Sequence, residues 1–312
     1  MIPKEKWSEL IDGLRDTIID RASVKSDRGT QNNTAEVHAR RAKIRGYLSS
    51  MNSLRFSQSL SDQDFWLKAA TKPFYAGHLA SAVQSCEKVM LTYLGNRAAL
   101  CSTDWDGGGR LFKKFMKDEG CFKHDKCLQK VITAARRIER LKSFRPKLPI
   151  FELLVGKLPN YTSTESLRTI YEKLNGHLKF GPVTTFHLMT ELGLPVIKPD
   201  RVLVRTSVRL GLIEKYKTKT TTKYVEPSIT NAKAVALGQN RDFCWALQDV
   251  FQKISDETQV SMRALDFTIA KLGMEPDARN GFVRTICPEK KPLCGICSAQ
   301  KLCAYAELQR RR

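Results

Sequence analysis

The chain has 312 residues, 42% of them hydrophobic, and sets 53 Lys and Arg against 32 Asp and Glu for a formal charge of +21. That supplies apolar material for one large domain or two modest ones and excludes wholesale disorder, collagen and coiled coil. No apolar run reaches the length of a membrane span, and MIPKEKWSEL has no stretch a signal peptide would use, so a soluble intracellular protein is expected. The charge predicts a polyanionic partner: nucleic acid first, with acidic membranes or acidic proteins as alternatives.

In chain order, a short helix is expected near Trp7–Ile19, then a polar linker or loop over Asp20–Thr34. Residues 35–58 carry Arg40, Arg41, Lys43 and Arg45 on a further helix. From Asp62 to Leu141 apolar residues recur at three and four, the helical period, with Ser61 or Asp62 as the first cap. Gly107-Gly108-Gly109 reads as a loop; it lacks the strand context and GKS ending of a phosphate-binding P-loop. Pro146, Pro149 and Pro159 mark a non-helical connector. Strand-like alternation is scarce, no internal repeat is present, and the fold class is all-α.

Ser166–Leu212 is the most informative stretch. Two helices meet at Leu178-Lys179-Phe180-Gly181-Pro182-Val183, where glycine allows a conformation other residues resist and proline suits the first position of the next helix. The amides of Val183 and Thr184 start that helix without internal partners, a setting that binds an anion; an ordinary helical hairpin is the alternative. Gly193 and Pro195 end the second helix. Asp200 then opens RVLVRTSVRLGL, where Arg201, Arg205 and Arg209 fall at i, i+4 and i+8 as a basic stripe. Asp200 is a good N-cap. At a phosphate-binding surface it has a second use, stabilising positive charge on a sugar or orienting a water.

The nine cysteines are unevenly spread. Five are scattered, and Cys287, Cys294, Cys297 and Cys303 crowd into 17 residues as C-x6-C-x2-C-x5-C. An odd count without a secretion signal argues against a disulfide framework. Scattered cysteines act as small buried hydrophobes, but four thiols in one short segment point to a metal. A single close pair flanked by lone thiols suits a [4Fe–4S] cluster better than zinc, which usually takes two close pairs. Cys121, His124 and Cys127 form a second, weaker constellation, read first as a helix turn with partly buried thiols.

A helix–hairpin–helix, an aspartate about twenty residues beyond its glycine and this cysteine spacing together resemble the helix–hairpin–helix DNA glycosylase superfamily, in its [4Fe–4S] endonuclease III-like branch. The resemblance covers roughly Ser166–Leu212 and Cys287–Cys303. It implies an all-α, two-lobed fold with a C-terminal cluster loop. The helical barrel would lie over 61–195, ending in the hairpin. Residues 196–312 would carry the catalytic helix and the cluster, joined by the N-terminal helices of 1–60. The resemblance further implies a monomeric enzyme that flips a damaged or modified base out of double-stranded DNA and breaks its bond to deoxyribose. Asp200 would be the catalytic carboxylate, and Cys287, Cys294, Cys297 and Cys303 the cluster ligands. Lys179, Gly181, Val183, Thr184, Arg201, Lys290 and Lys291 would contact DNA, with a monovalent cation as a further candidate at the hairpin. The cluster's implied role is structural.

Two departures refine this expectation. Bifunctional members carry a lysine just after the hairpin glycine; here that place is Val183, which cannot form a Schiff base, so a monofunctional glycosylase is expected. The rivals are a bifunctional glycosylase–lyase and a non-catalytic DNA-binding protein on the same scaffold. Residues 201–286 also make a longer link from Asp200 to the first cluster cysteine than compact members need. Within it, EKYKTKTTTKYVE (Glu214–Glu226) reads as an exposed loop or short hairpin, either merely solvated or an extra clamp on DNA or a bulky base. Trp66, Phe74, Tyr75, His78 and Trp105 are aromatics that would stack on a flipped base if they are not core.

Overall fold

A computed structural model describes residues 2–24, 34–53, 55–57, 60–75, 80–102 and 125–311, with Arg110, Phe112, Lys114 and Lys117. The chain is mostly helical. The principal helices are α1 (Trp7–Asp16), α2 (Thr34–Ser53), α3 (Asp62–Thr71), α4 (Ala80–Leu94), α5 (Asp125–Phe144), α6 (Ile150–Val155), α7 (Thr164–Leu178), α8 (Pro182–Glu191) and α9 (Arg201–Leu210). A two-stranded antiparallel hairpin follows, β1 (Lys215–Lys217) with β2 (Thr222–Tyr224), paired Lys215 to Tyr224 and Lys217 to Thr222. Then come α10 (Asn231–Gly238), α11 (Arg241–Thr258), α12 (Met262–Gly273) and α13 (Ala304–Arg310). Among the described residues no helix is long and apolar enough to cross a membrane.

Side-chain caps start many of these helices. Ser61, Ser163, Asp200, Thr230, Asn240 and Ser261 each accept a first-turn amide, satisfying donors that a helix start leaves open. Two sequence expectations need correction. The proline-marked connector contains a helix, because Pro149 stands just before α6 and leaves Ile150–Val155 free to wind. Beyond α1 the chain stays helical through Thr17–Arg21, so the polar linker does not begin at Asp20. Residues 25–33, the triple glycine, Cys121, His124, His78 and Trp105 lie outside the described residues.

The chain divides into two compact units, Met1–Leu54 with Pro195–Arg312, and Arg55–Leu194. In the first, Leu10 and Leu14 of α1, Leu203 and Val208 of α9, Phe243 and Phe251 of α11, and Leu265 and Ile269 of α12 share one core. In the second, Trp66, Phe74, Val131, Ile138, Tyr171 and Phe186 are fully buried. Tyr171 stacks on Phe186 at 4.7 Å and ties α7 to α8. Gly193 closes this unit at φ +81, with a hypothetical Cβ only 2.5 Å from the Arg55 carbonyl oxygen, so no side chain fits there.

Candidate functional site

The turn between α7 and α8 is tight. Lys179 adopts the left-handed conformation (φ 57, ψ 34), and Gly181 sits at φ 85, ψ 167, a region only glycine enters freely. Phe180, 2% exposed, anchors the turn from inside. Asn175 reaches forward from α7, its Oδ1 accepting the Gly181 amide at 3.1 Å, while the Thr185 amide closes onto the Gly181 carbonyl at 3.0 Å. The Val183 and Thr184 amides make no hydrogen bond among the described residues. Lys179 is exposed and Val183 half-buried, whereas Thr184 is buried as a whole residue, which corrects its reading as a DNA contact. Asn175 is not singled out by sequence reasoning; its signal is an amide side chain six residues before the turn glycine.

In the other unit, Asp200 is N-cap of α9. Its Oδ1 accepts the Val202 and Leu203 amides at 2.9 and 3.0 Å. Capping uses only that oxygen: Oδ2 faces the Lys198 Nζ at 3.4 Å, and the side chain keeps about a quarter of its surface (27%). The strand of chain leading to it is held by two buried side chains. Gln248 of α11 clamps Ile197 in both directions, accepting its amide at 2.9 Å and donating to its carbonyl at 2.7 Å. Asp266 of α12 accepts the next amide, that of Lys198, at 3.4 Å, and pairs with Arg263 at 3.3 Å. Neither Gln248 nor Asp266 is visible in the sequence, since each is brought to this segment only by the packing of α11 and α12.

Burial pushes the Asp266 carboxyl up to about 6; the Asp200 charge adds to this, while Arg263 and Lys198 oppose it. A carboxyl raised from its ordinary 3.8 favours the fold while protonated. That contribution is complete below about pH 4 and is lost as the pH rises through about 6. Asp266→Asn keeps an acceptor for the Lys198 amide and removes the ionisation. The variant is expected to gain stability over the wild type between about pH 4.5 and pH 7, by on the order of 2 kcal/mol. Urea unfolding at the two pH values checks this; a constant difference would refute it.

The four clustered cysteines are free thiols lining one cavity with Thr206, Arg209, Leu272 and Tyr305. The Cys287 amide donates to the Leu272 carbonyl at 2.6 Å, the Cys297 amide to the Cys294 carbonyl at 3.1 Å, and the Cys303 thiol to the Arg209 carbonyl at 3.2 Å. Burial is the largest cause raising the thiols of Cys294, Cys297 (to about 11) and Cys303, and neighbouring thiols in the group raise them further. Among the described residues no group of three or more His, Cys, Asp or Glu side chains is arranged to hold a metal ion. What brings the four thiols together is this shared lining.

The basic stripe is corrected. Arg205 and Arg209 are each 3% exposed and cannot face a ligand in solvent. Arg205 donates to the Gly273 carbonyl at 2.9 Å, the Cys287 carbonyl at 3.2 Å and Asn231 Oδ1. Arg209 donates to the Pro288 and Glu289 carbonyls at 2.6 Å, lies 3.5 Å from Cys287 Sγ and packs on the Tyr305 ring. Both arginines hold the cysteine loop from beneath. Arg201, Lys290 and Lys291 are exposed. A Cβ on Gly273 would lie 2.8 Å from Arg205 Nη2, 2.8 Å from Thr206 Oγ1 and 3.1 Å from the Cys287 carbonyl oxygen. Gly273→Ala is therefore expected to destabilise the protein by about 1–3 kcal/mol in urea unfolding, against alanine's intrinsic helix advantage of about 1 kcal/mol.

The remaining candidates separate. Trp66 donates its indole N–H to the Leu94 carbonyl at 2.7 Å and Phe74 is fully buried, so both are core. Tyr75 is half-buried, edge-on to His187 at 4.9 Å. Cys127 and Cys244 are buried thiols donating to carbonyls. Cys86 is disulfide-bonded, which departs from the all-thiol expectation. No family model, curated protein or solved structure matches this chain.

Proposed function

We propose that the protein is a monofunctional DNA glycosylase of the helix–hairpin–helix kind, hydrolysing the N-glycosidic bond of a damaged or modified base and leaving an abasic site. The observation that carries this reading is the division of labour within Asp200. Oδ1 is committed to the backbone of α9, and Oδ2 is left beside Lys198 at the solvent edge. A carboxylate fixed in this way stabilises an oxocarbenium-like sugar and aligns the attacking water without reorganising as charge develops. Gln248 and Asp266 are positioning residues, since they grip Ile197 and Lys198 and not a substrate. The half-buried Val183 amide, without an internal partner at the start of α8, suits a DNA phosphate or a monovalent cation beside one.

The donor set fits a [4Fe–4S] cluster. Zinc needs four sulfurs about 2.3 Å from one point, whereas a cubane spreads its ligands over four irons. Four cysteines lining one cavity give one thiolate for each iron. Cys287, Cys294, Cys297 and Cys303 would hold the cluster, and Arg209 offers a cation beside Cys287. The bound cluster would supply a rigid cross-link for the loop that exposes Lys290 and Lys291. The DNA partner rests on these cations and on the net charge.

Lys198 favours a second reading, the bifunctional one, because it sets an amine 3.4 Å from the Asp200 carboxylate. Its ammonium is engaged there, so it is the weaker candidate. Base release from duplexes carrying uracil, alkylated purines, oxidised pyrimidines and bulky modified cytosines tests the proposal. Release without strand cleavage supports it. A borohydride-trapped adduct lost in Lys198→Ala would replace it with the lyase reading, and no release from any duplex counts against both.

A further inference from the structure

The β1–β2 hairpin is a built surface and not a slack loop. The Val225 amide donates to the Glu214 carbonyl at 2.8 Å, and the turn is closed by Thr218, whose amide donates to the Thr221 carbonyl at 2.8 Å and whose hydroxyl accepts the Thr221 amide at 3.1 Å. Tyr216, 6% exposed, fastens the inner face to Phe243 of α11, edge-on at 5.3 Å. The pairing register then fixes the outer face. Cross-strand partners share a face, so Lys215 and Tyr224 stand together, beside Lys217 and Thr222.

Tyr224 is 77% exposed, among the most exposed large hydrophobic side chains described. A cavity of about 400 Å³ opens beside it, whose lining includes the apolar Tyr216, Val225, Ile229 and Leu237 and the charged Lys233 and Glu226. Lys215, Lys217, Lys219, Lys223 and Lys233 make no ion pair among the described residues. An exposed aromatic ring among unpaired cations, with an apolar recess alongside, is the arrangement that binds single-stranded nucleic acid: bases stack on the ring and lysines follow the phosphates. A membrane surface would call for a broader apolar face than one tyrosine offers.

We propose that the hairpin binds an unpaired nucleotide of a DNA strand, its base stacked on Tyr224 at the mouth of the cavity and its flanking phosphates on Lys215, Lys217 and Lys233. The choice of DNA over other polyanions rests on the glycosylase reading. Function of the site does not require Asp200 or the cysteines.

Fluorescence polarisation with a labelled oligothymidylate and with a duplex of equal length tests it on the intact protein. Tyr224→Ala is expected to weaken oligothymidylate binding about tenfold and to leave duplex affinity and Tm unchanged; Tyr224→Phe is expected to bind as the wild type does. Lys215→Ala with Lys217→Ala should lower the slope of log K against log salt by about 1.4, or 0.7 for each phosphate that is no longer neutralised. Duplex binding by the wild type with equal oligothymidylate affinity in Tyr224→Ala overturns the hairpin site alone. Binding of neither DNA by the wild type overturns the glycosylase reading along with it. Release of the protein from phosphatidylserine vesicles by Tyr224→Ala, with no binding to oligothymidylate, assigns the surface to a membrane and also overturns the proposal.

Discussion

Asp200→Asn is expected to lower base release by about a hundredfold to a thousandfold or more, the scale of removing one preorganised charge from a transition state. DNA affinity should stay within about twofold, because one side chain among many phosphate contacts carries little of that term. The substitution is informative because of the two oxygens. Asparagine keeps an Oδ1 to accept the Val202 and Leu203 amides, and it is as good an N-cap as aspartate. The carboxylate's charge is removed, and an amide nitrogen takes the place of the second oxygen. Asp200→Ala would confound the result by also removing the cap, at a cost of about 1 kcal/mol. Chromatographic detection of the free base, paired with polarisation affinity and a melting curve on the same preparations, decides the matter. Undiminished release by Asp200→Asn would end the proposed mechanism.

The second large effect concerns the cysteine cavity. Anaerobically purified protein is expected to contain iron and acid-labile sulfide in equal amounts, four of each per chain if a cubane is bound. Cys297→Ser should lose both, and with them stability, because binding free energy at a structural metal site is folding free energy. A loss of even about 4 kcal/mol lowers the Tm of a domain this size by roughly 8–16 °C. Arg205 and Arg209 would lose a firm loop to hold, leaving buried donors facing displaced carbonyls. Colourless protein carrying one zinc per chain would contradict the cluster assignment, and a Cys297→Ser protein that melts with the wild type would contradict its structural role.

The legibility of the sequence varies with how local each feature is. The α7–α8 turn is readable because glycine and proline act within a few residues, and the start of α9 because Asp200 caps amides two and three residues on. The Lys/Thr segment reads as a loop or hairpin, and it is a hairpin. The arginine stripe misleads because spacing identifies a helix face but not what covers it. Arg205 and Arg209 find acceptors at Gly273 and at Cys287–Glu289, and those carbonyls come from remote stretches of chain. Gln248 is invisible for the same reason, being 51 residues from the segment it clamps. The helix between prolines escapes notice because proline ends a helix behind it but is well tolerated at the entry of the next.

The interleaved first unit has a consequence for biosynthesis. The ribosome delivers α1 and α2 early, yet the partners of Leu10 and Leu14 on α11 and α12 emerge only after all of Arg55–Leu194 has been made. The intervening unit has its own core and can fold first, as domains generally do during translation. The early helices must meanwhile keep apolar faces uncovered. The four cysteines of the 287–303 segment follow later still. A nascent chain stalled before α11 and α12 would therefore present the Leu10 and Leu14 face of α1 to chaperones and proteases.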